Sequence, residues 1–144
     1  MKKKAVLIIP LLLLVYILAF YLIFFVFNKR NIVDELNLTW NTKFSGEATL
    51  LTESDYAPRG EHTYLYKIKL NDDKAVDNQL NAKGSDIYDT ALEILERENM
   101  LNDSKEALDY LKSGKYKRIK KDEDDNLYMW NGENNSIYVL IDYT

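Results

Sequence analysis

The 144-residue sequence contains no cysteine and only one histidine, His62. The absence of cysteine excludes disulfides, thiolate nucleophiles, cysteine-ligated zinc and a lipoprotein anchored through a modified cysteine. A single imidazole without cysteine cannot build an ordinary zinc site unless carboxylates fill every other role. Glycine-rich phosphate loops and the HExxH and GxSxG motifs are also missing. We therefore predict no cofactor and no catalytic residues, and we do not expect an enzyme.

Charge is missing from one long stretch, residues 5–27, where all 23 positions are apolar, aromatic or proline. A helix of this length extends about 35 Å, enough to cross a hydrocarbon core of about 30 Å. The stretch is longer than the apolar region of a secretory signal peptide, and bulky residues occupy the positions where signal peptidase needs small ones. We therefore predict an uncleaved transmembrane helix over 5–27 that inserts into the lipid bilayer.

Basic residues flank this stretch on both sides, and their balance predicts an orientation. Three lysines at positions 2–4 precede it, whereas Lys29 and Arg30 follow it. Positive charge favours the cytoplasmic side of a membrane. We therefore predict a short basic cytoplasmic flank at 1–4, a juxtamembrane segment over 28–43, and an extracytoplasmic domain over 44–144 in a single-pass cell-membrane protein.

The remainder of the chain is acidic. The first 30 positions hold five of the 19 basic residues and none of the 23 acidic ones, which leaves the rest with a net charge of −9. Nucleic-acid binding requires a basic surface, so we predict no nucleic-acid partner. A cationic protein partner fits this charge better, although net charge also serves solubility alone.

Alternation of apolar and polar residues predicts strands at both ends of the domain. A turn over 57–60 contains Pro58 and Gly60, and it predicts a hairpin between the first two strands. The dipeptide Asn131-Gly132 predicts another hairpin between the last two. The expected strands are Phe44–Glu53, His62–Leu70, Tyr116–Lys121, Leu127–Trp130 and Ile137–Tyr143.

Apolar residues at helical spacing predict a central helical block. Its expected helices are Lys74–Ala82, a second that starts at Ser85 or Asp86, and a third that starts at a capping box of Asp103 and Glu106 and ends at Gly114. Residues 31–42 suit either a helix or a strand. The sequence thus predicts an α+β fold: an N-terminal transmembrane helix, then an antiparallel sheet of about five strands with the helical block packed on one face.

An acidic segment between two expected strands resembles a calcium loop. Asp122, Asp124, Asn126 and Glu133 fall at ligand positions one, three, five and twelve. The sixth position is Leu127 rather than the glycine that the sharp turn requires, and strands rather than helices flank the segment. These four residues are candidate ligands, but a solvated hairpin tip fits the sequence better and we predict no metal.

Aromatic residues are the other candidate for a functional surface. Tyrosine offers a rigid apolar ring and a polar tip, and it is enriched at protein interfaces. If Tyr128, Trp130 and Tyr138 lie on the sheet face opposite the helices, they form an aromatic, acid-rimmed surface that binds a protein partner. The alternative is that these rings fill the core.

The overall layout allows a comparison with a known class of protein. A basic start leads into an apolar span, and a domain rich in Lys, Asn, Asp and Tyr ends in the strand Ser136–Thr144. This layout resembles small single-pass membrane-anchored proteins of Gram-positive bacteria, some of which are immunity proteins that neutralise secreted toxins outside the membrane. The resemblance implies no particular site residues.

Together these features predict a membrane-anchored extracytoplasmic protein-binding module, such as an immunity or inhibitor protein or a component of an envelope complex. Two alternatives remain open. One is an envelope enzyme that uses carboxylates such as Asp122 or Glu133. The other is a ligand sensor that acts through a partner, because the predicted cytoplasmic flank is too short to carry a signal.

Overall fold

The computed structural model describes residues 13–24, 31–55, 61–72, 79–122 and 124–143. The chain divides into two compact units, Met1–Asn31 and Ile32–Thr144. In the first unit, helix α1 covers residues 13–24, and its large apolar side chains are each more than half exposed.

The predicted transmembrane helix is wrong. No helix within the described ranges has both the length and the apolar character needed to cross a membrane. Helix α1 has 12 described residues, which extend about 18 Å at about 1.5 Å per residue, against about 30 Å of hydrocarbon. The remainder of the predicted span, 5–12 and 25–27, lies outside the described residues, as does the flank at 1–4.

The second unit contains one antiparallel sheet with strand order β1-β2-β6-β5-β4-β3. Five of its six strands match predicted ones, and β2 begins and ends at the predicted residues. The sixth, β3, has two residues that pair with β4, too few to produce an alternating pattern. The strands are β1 Gly46–Glu53, β2 His62–Leu70, β3 Ala82–Lys83, β4 Lys115–Lys120, β5 Asn126–Asn131 and β6 Ser136–Tyr143.

The described residues of this unit form three further helices: α2 Ile32–Trp40, α3 Tyr88–Arg97 and α4 Leu101–Ser113, with a 3-10 turn at Gly84–Asp86 before α3. Helix α2 settles the open assignment of residues 31–42 in favour of a helix. The predicted capping box is wrong, because α4 begins before Asp103 and Met100 at its N-cap makes no side-chain cap bond. Of the helix predicted over 74–82, residues 74–78 lie outside the described part, and 79–82 form a turn and the start of β3.

Helices cover both faces of the sheet. Helices α3 and α4 pack on one face against Leu65, Tyr128, Trp130, Tyr138 and Leu140. Helix α2 packs on the other face against residues that include Ile68, Leu127, Met129, Val139 and Ile141. The prediction that the central helical block packs on one face is confirmed, but the opposite face is not left open.

Asparagine occupies each described non-glycine position with a positive φ angle. Asn41 and Asn99 follow helices, with φ of 52° and 58°. Asn134 and Asn135, with φ of 47° and 64°, give the β5–β6 connection the left-handed pair that a tight hairpin turn requires. The predicted hairpin is confirmed, but its tip lies two residues beyond the Asn131-Gly132 signal because asparagine also tolerates this region.

Candidate functional site: an aromatic cleft

A cleft of about 460 Å³ opens between helix α2 and strands β2 and β6. We call it the aromatic cleft. Aliphatic and hydroxyl-bearing side chains of α2 and β6 complete its walls. Its aromatic and charged lining consists of Glu35, Trp40, His62, Tyr64, Tyr66 and Tyr143.

The period of strand β2 creates the floor of the cleft. His62, Tyr64 and Tyr66 are spaced two residues apart, so their side chains emerge on the same face of the sheet. Their rings stack in a row, with centroids 5.5 Å apart for His62 and Tyr64 and 6.0 Å apart for Tyr64 and Tyr66. The next residues on this face, Ile68 and Leu70, are buried in the core. The aromatic row therefore begins where the core ends.

The last strand and helix α2 supply the remaining rings. Tyr143 meets Tyr64 edge to face, with centroids 6.3 Å apart and planes at 80°. Trp40, at the end of α2, lies 5.9 Å from the Tyr143 ring and is 3% exposed. Three structural elements thus hold one connected group of rings, with Trp40 buried and the three tyrosines half-buried.

Carboxylates give the cleft a negative potential. Glu35 lines it from α2, and Glu53 of β1 pairs with Tyr64 in the strand register. Burial, reinforced by these two carboxylates and neighbouring phenols, raises the pKa of Tyr66 to about 12. Burial and then the same carboxylates raise the pKa of Tyr64. Among the described lining residues there is no lysine or arginine.

Comparison of the chain with protein families, curated proteins and solved structures gave no match. Function is therefore inferred from the geometry of the cleft and from the placement of the residues that the sequence singled out. Those residues fall in two other places.

The predicted aromatic surface residues lie beneath α3 and α4. Tyr128, Trp130 and Tyr138 are 3%, 0% and 1% exposed. Trp130 Nε1 donates a hydrogen bond to the Ala107 carbonyl at 2.7 Å, and the Tyr138 hydroxyl donates to Glu106 Oε1 at 2.8 Å. As placed, these rings contact the helices rather than an external partner.

The cleft tyrosines meet the condition that the sequence argument set for a binding surface, since they lie on the face opposite α3 and α4. In the sequence, this surface is indicated by Tyr64 and Tyr66, which share one face of β2, and by Tyr143, which lies on the matching face of β6. Strand periodicity groups residues by face, but it does not say which helix covers that face.

The candidate metal ligands do not come together. Asp122, Asp124 and Asn126 lie at the β4–β5 connection, whereas Glu133 lies in the β5–β6 turn at the other end of β5. A six-residue strand separates these ends by about 17 Å. Among the residues that the structure describes, no group of three or more histidine and carboxylate side chains is placed to hold a metal ion.

Two of these candidate ligands, Asn126 and Glu133, have other side-chain contacts. Asn126 Oδ1 accepts hydrogen bonds from Arg118 Nε and Nη2 at 3.0 and 2.7 Å. Glu133 accepts from Lys67 Nζ at 3.2 Å and from the Tyr110 hydroxyl at 3.3 Å. Asn126 ties β4 to β5, and Glu133 belongs to an ion-pair group between the sheet and α4.

Proposed function

We propose that the domain is a protein-binding module whose contact surface is the aromatic cleft. The observation that carries this proposal is the connected group of half-buried rings, Tyr64, Tyr66 and Tyr143, on a sheet face that α2 covers only in part. Tyrosine suits such a surface because it buries a large apolar area while its hydroxyl stays hydrogen-bonded.

Rigid support of these rings favours binding. Strands β2 and β6 pair continuously from His62 opposite Tyr143 to Lys69 opposite Ser136, which fixes the backbone beneath the cleft. A side chain held by a central strand and by ring stacking loses little conformational freedom when a partner arrives. More of the contact energy is then available for affinity.

The apolar surface continues from the cleft to the edge of the sheet. Leu50 of β1 pairs with Tyr66 in the register, and its side chain is 43% exposed. Cross-strand pairs lie on the same face of a sheet. Leu50 therefore extends the tyrosine surface toward the edge strand, which gives a contact area wider than the cleft alone.

A photocrosslinking amino acid placed at position 50 tests the proposal in the full-length chain. The control places it at Asn102, which is exposed at the start of α4, on the opposite face. We expect a discrete protein adduct from position 50 and none from position 102. The double substitution Tyr64→Ala and Tyr66→Ala should abolish that adduct, while Tyr88→Ala on α3 should preserve it.

Two results contradict the proposal. One is equal crosslinking from positions 50 and 102, and the other is an adduct that survives loss of both cleft tyrosines. Circular dichroism of each variant confirms that the sheet is intact. The cellular location and the role as an immunity protein or envelope component stay predictions, which C-terminal reporter fusions and toxin-protection assays address separately.

A further inference from the structure

We infer that the aromatic cleft recognises a cationic side chain of its protein partner, and that arginine fits it best. The inference rests on the proposed function and names the chemistry that the cleft selects. Its basis is charge complementarity: tyrosine rings and the Glu35 carboxylate share one cleft in which the described lining contains no lysine or arginine.

Elsewhere in the same domain, tyrosine rings and carboxylates are combined with a cation. Lys67 Nζ lies 5.5 Å from the centre of the Tyr138 ring, and it pairs with Glu106 at 3.3 Å and with Glu133 at 3.2 Å. Arg118 lies 5.5 Å from the centre of the Tyr128 ring. A positive group over the face of an aromatic ring is attracted by the ring's negative charge density.

The described lining of the aromatic cleft repeats this composition without a lysine or arginine. Tyr64 and Tyr66 take the place of Tyr138, and Glu35 and Glu53 take the place of Glu106 and Glu133. Within the described part of the chain, the ring contacts of Tyr64 and Tyr66 are with other aromatic rings. A partner's cation would supply the component that Lys67 supplies on the other face.

Arginine suits this geometry better than lysine. Its planar guanidinium stacks on an aromatic ring and can donate two hydrogen bonds to one carboxylate at the same time. Glu35 stands on α2 across the cleft from the β2 rings, so a guanidinium against a tyrosine ring faces a carboxylate. The open side of the cleft admits a side chain carried on a surface loop or peptide.

Nuclear magnetic resonance titration of the full-length chain tests the inference with defined probes. The probe is the blocked tripeptide Gly-Arg-Gly, and its control is Gly-citrulline-Gly, which has nearly the same shape without the charge. We expect the arginine peptide to shift the ring resonances of Tyr64, Tyr66 and Tyr143 in a saturable way. The citrulline peptide should leave them in place, and a lysine peptide should bind more weakly than arginine.

A matched pair of substitutions on α2 identifies the carboxylate. Glu35→Gln should weaken the arginine peptide by about three- to fivefold, the effect of one partly exposed charge contact. Asp34→Asn removes the same charge from the same helical turn, but Asp34 does not line the cleft. It should change the affinity by less than about 1.5-fold, since solvent and salt screen a more distant charge.

Two results overturn the inference: equal binding of arginine and citrulline peptides, or equal effects of Glu35→Gln and Asp34→Asn. If Glu35→Gln disturbs the helix, Glu53→Gln provides a second measurement of how a carboxylate affects the affinity for the arginine peptide. If the arginine peptide causes no shift while the crosslink from position 50 still depends on Tyr64 and Tyr66, the arginine inference fails and the proposed binding function stands. If the arginine peptide causes no shift and the crosslink from position 50 no longer depends on Tyr64 and Tyr66, both the arginine inference and the proposed binding function are refuted.

Discussion

Replacement of Trp130 by phenylalanine measures how firmly helix α4 is attached to the sheet. Trp130 is fully buried, its ring stacks 5.9 Å from Tyr138, and its Nε1 donates a 2.7 Å hydrogen bond to the Ala107 carbonyl. Phenylalanine keeps an aromatic ring in this place. It removes the donor and leaves a void where the larger indole lay.

The expected loss follows from two contributions. The lost hydrogen bond costs about 1 kcal/mol. The smaller ring leaves a void of about 40 Å³, which costs about another 1 kcal/mol at about 24 cal/mol per Å³. Trp130→Phe should therefore lower the free energy of unfolding by about 2 kcal/mol, which corresponds to a decrease in Tm of about 10 °C for a domain of this size.

Urea denaturation followed by circular dichroism measures the change, and Trp40→Phe is the matched control. Trp40 is also buried, but its Nε1 makes no hydrogen bond of ordinary geometry within the described residues. Trp40→Phe should cost about 1 kcal/mol, mainly the void. If Trp130→Phe costs no more than Trp40→Phe, the assignment of the Ala107 bond as a stabilising contact is refuted.

Three further changes test other contacts. Because burial raises the pKa of Tyr66 to about 12 from an ordinary value of 10.0, the folded state holds this proton more tightly than the unfolded chain. The resulting stability is complete below about pH 10 and is lost as the pH rises through about 12. The urea midpoint of the Tyr66→Phe variant should therefore fall less steeply above about pH 10 than that of the unmodified protein. Asn135→Ala should cost about 1 kcal/mol in thermal unfolding because φ is 64° there, whereas Asn135→Gly should cost nothing; equal costs would contradict the turn assignment. Thr63→Val should cost about 1 kcal/mol by removing the buried 2.9 Å bond to Asp142, while Thr63→Ser should retain most of the stability; a harmless valine would show that this bond contributes nothing.

The strands were predictable because their signal is local. Strand β2 alternates between faces along its whole length, and its predicted bounds agree with the structure. Strand β6 carries bulky residues on both faces, a pattern typical of a central strand, and it lies between β2 and β5. Side-chain period alone determines such features, so no knowledge of the rest of the fold is needed.

The candidate site depended on information that periodicity does not hold. Tyr128 and Tyr66 both lie in predicted strands, yet Tyr128 lies beneath α4 and Tyr66 lines the cleft. The difference comes from which helix packs on which face, a non-local choice made by the whole core. The helix start at Leu101 was missed for a related reason, since the capping signal of Asp103 is local whereas Met100 is fixed by burial in the core.

The N-terminal prediction was wrong for a different reason. Composition showed that residues 5–27 are apolar, and the length of that run was converted directly into the length of a helix. The described helix covers 13–24. The remainder of the run, 5–12 and 25–27, lies outside the described residues, and within the described ones no helix is long and apolar enough to span a membrane.

The central place of β6 has a consequence for synthesis of the protein. Strands β1 and β2 form one antiparallel group and β3 to β5 form another, and β6 joins them by pairing with β2 on one side and β5 on the other. A nascent chain that has not yet emerged to residue 136 therefore carries two partial sheets with open edges. Pairing residues as far apart as Tyr66 and Val139 makes closure slow compared with local hairpin formation. Translation that stalls before β6 would leave the edges of both partial sheets free to pair with other chains and aggregate. These edges are covered only after residues 136–143 have emerged.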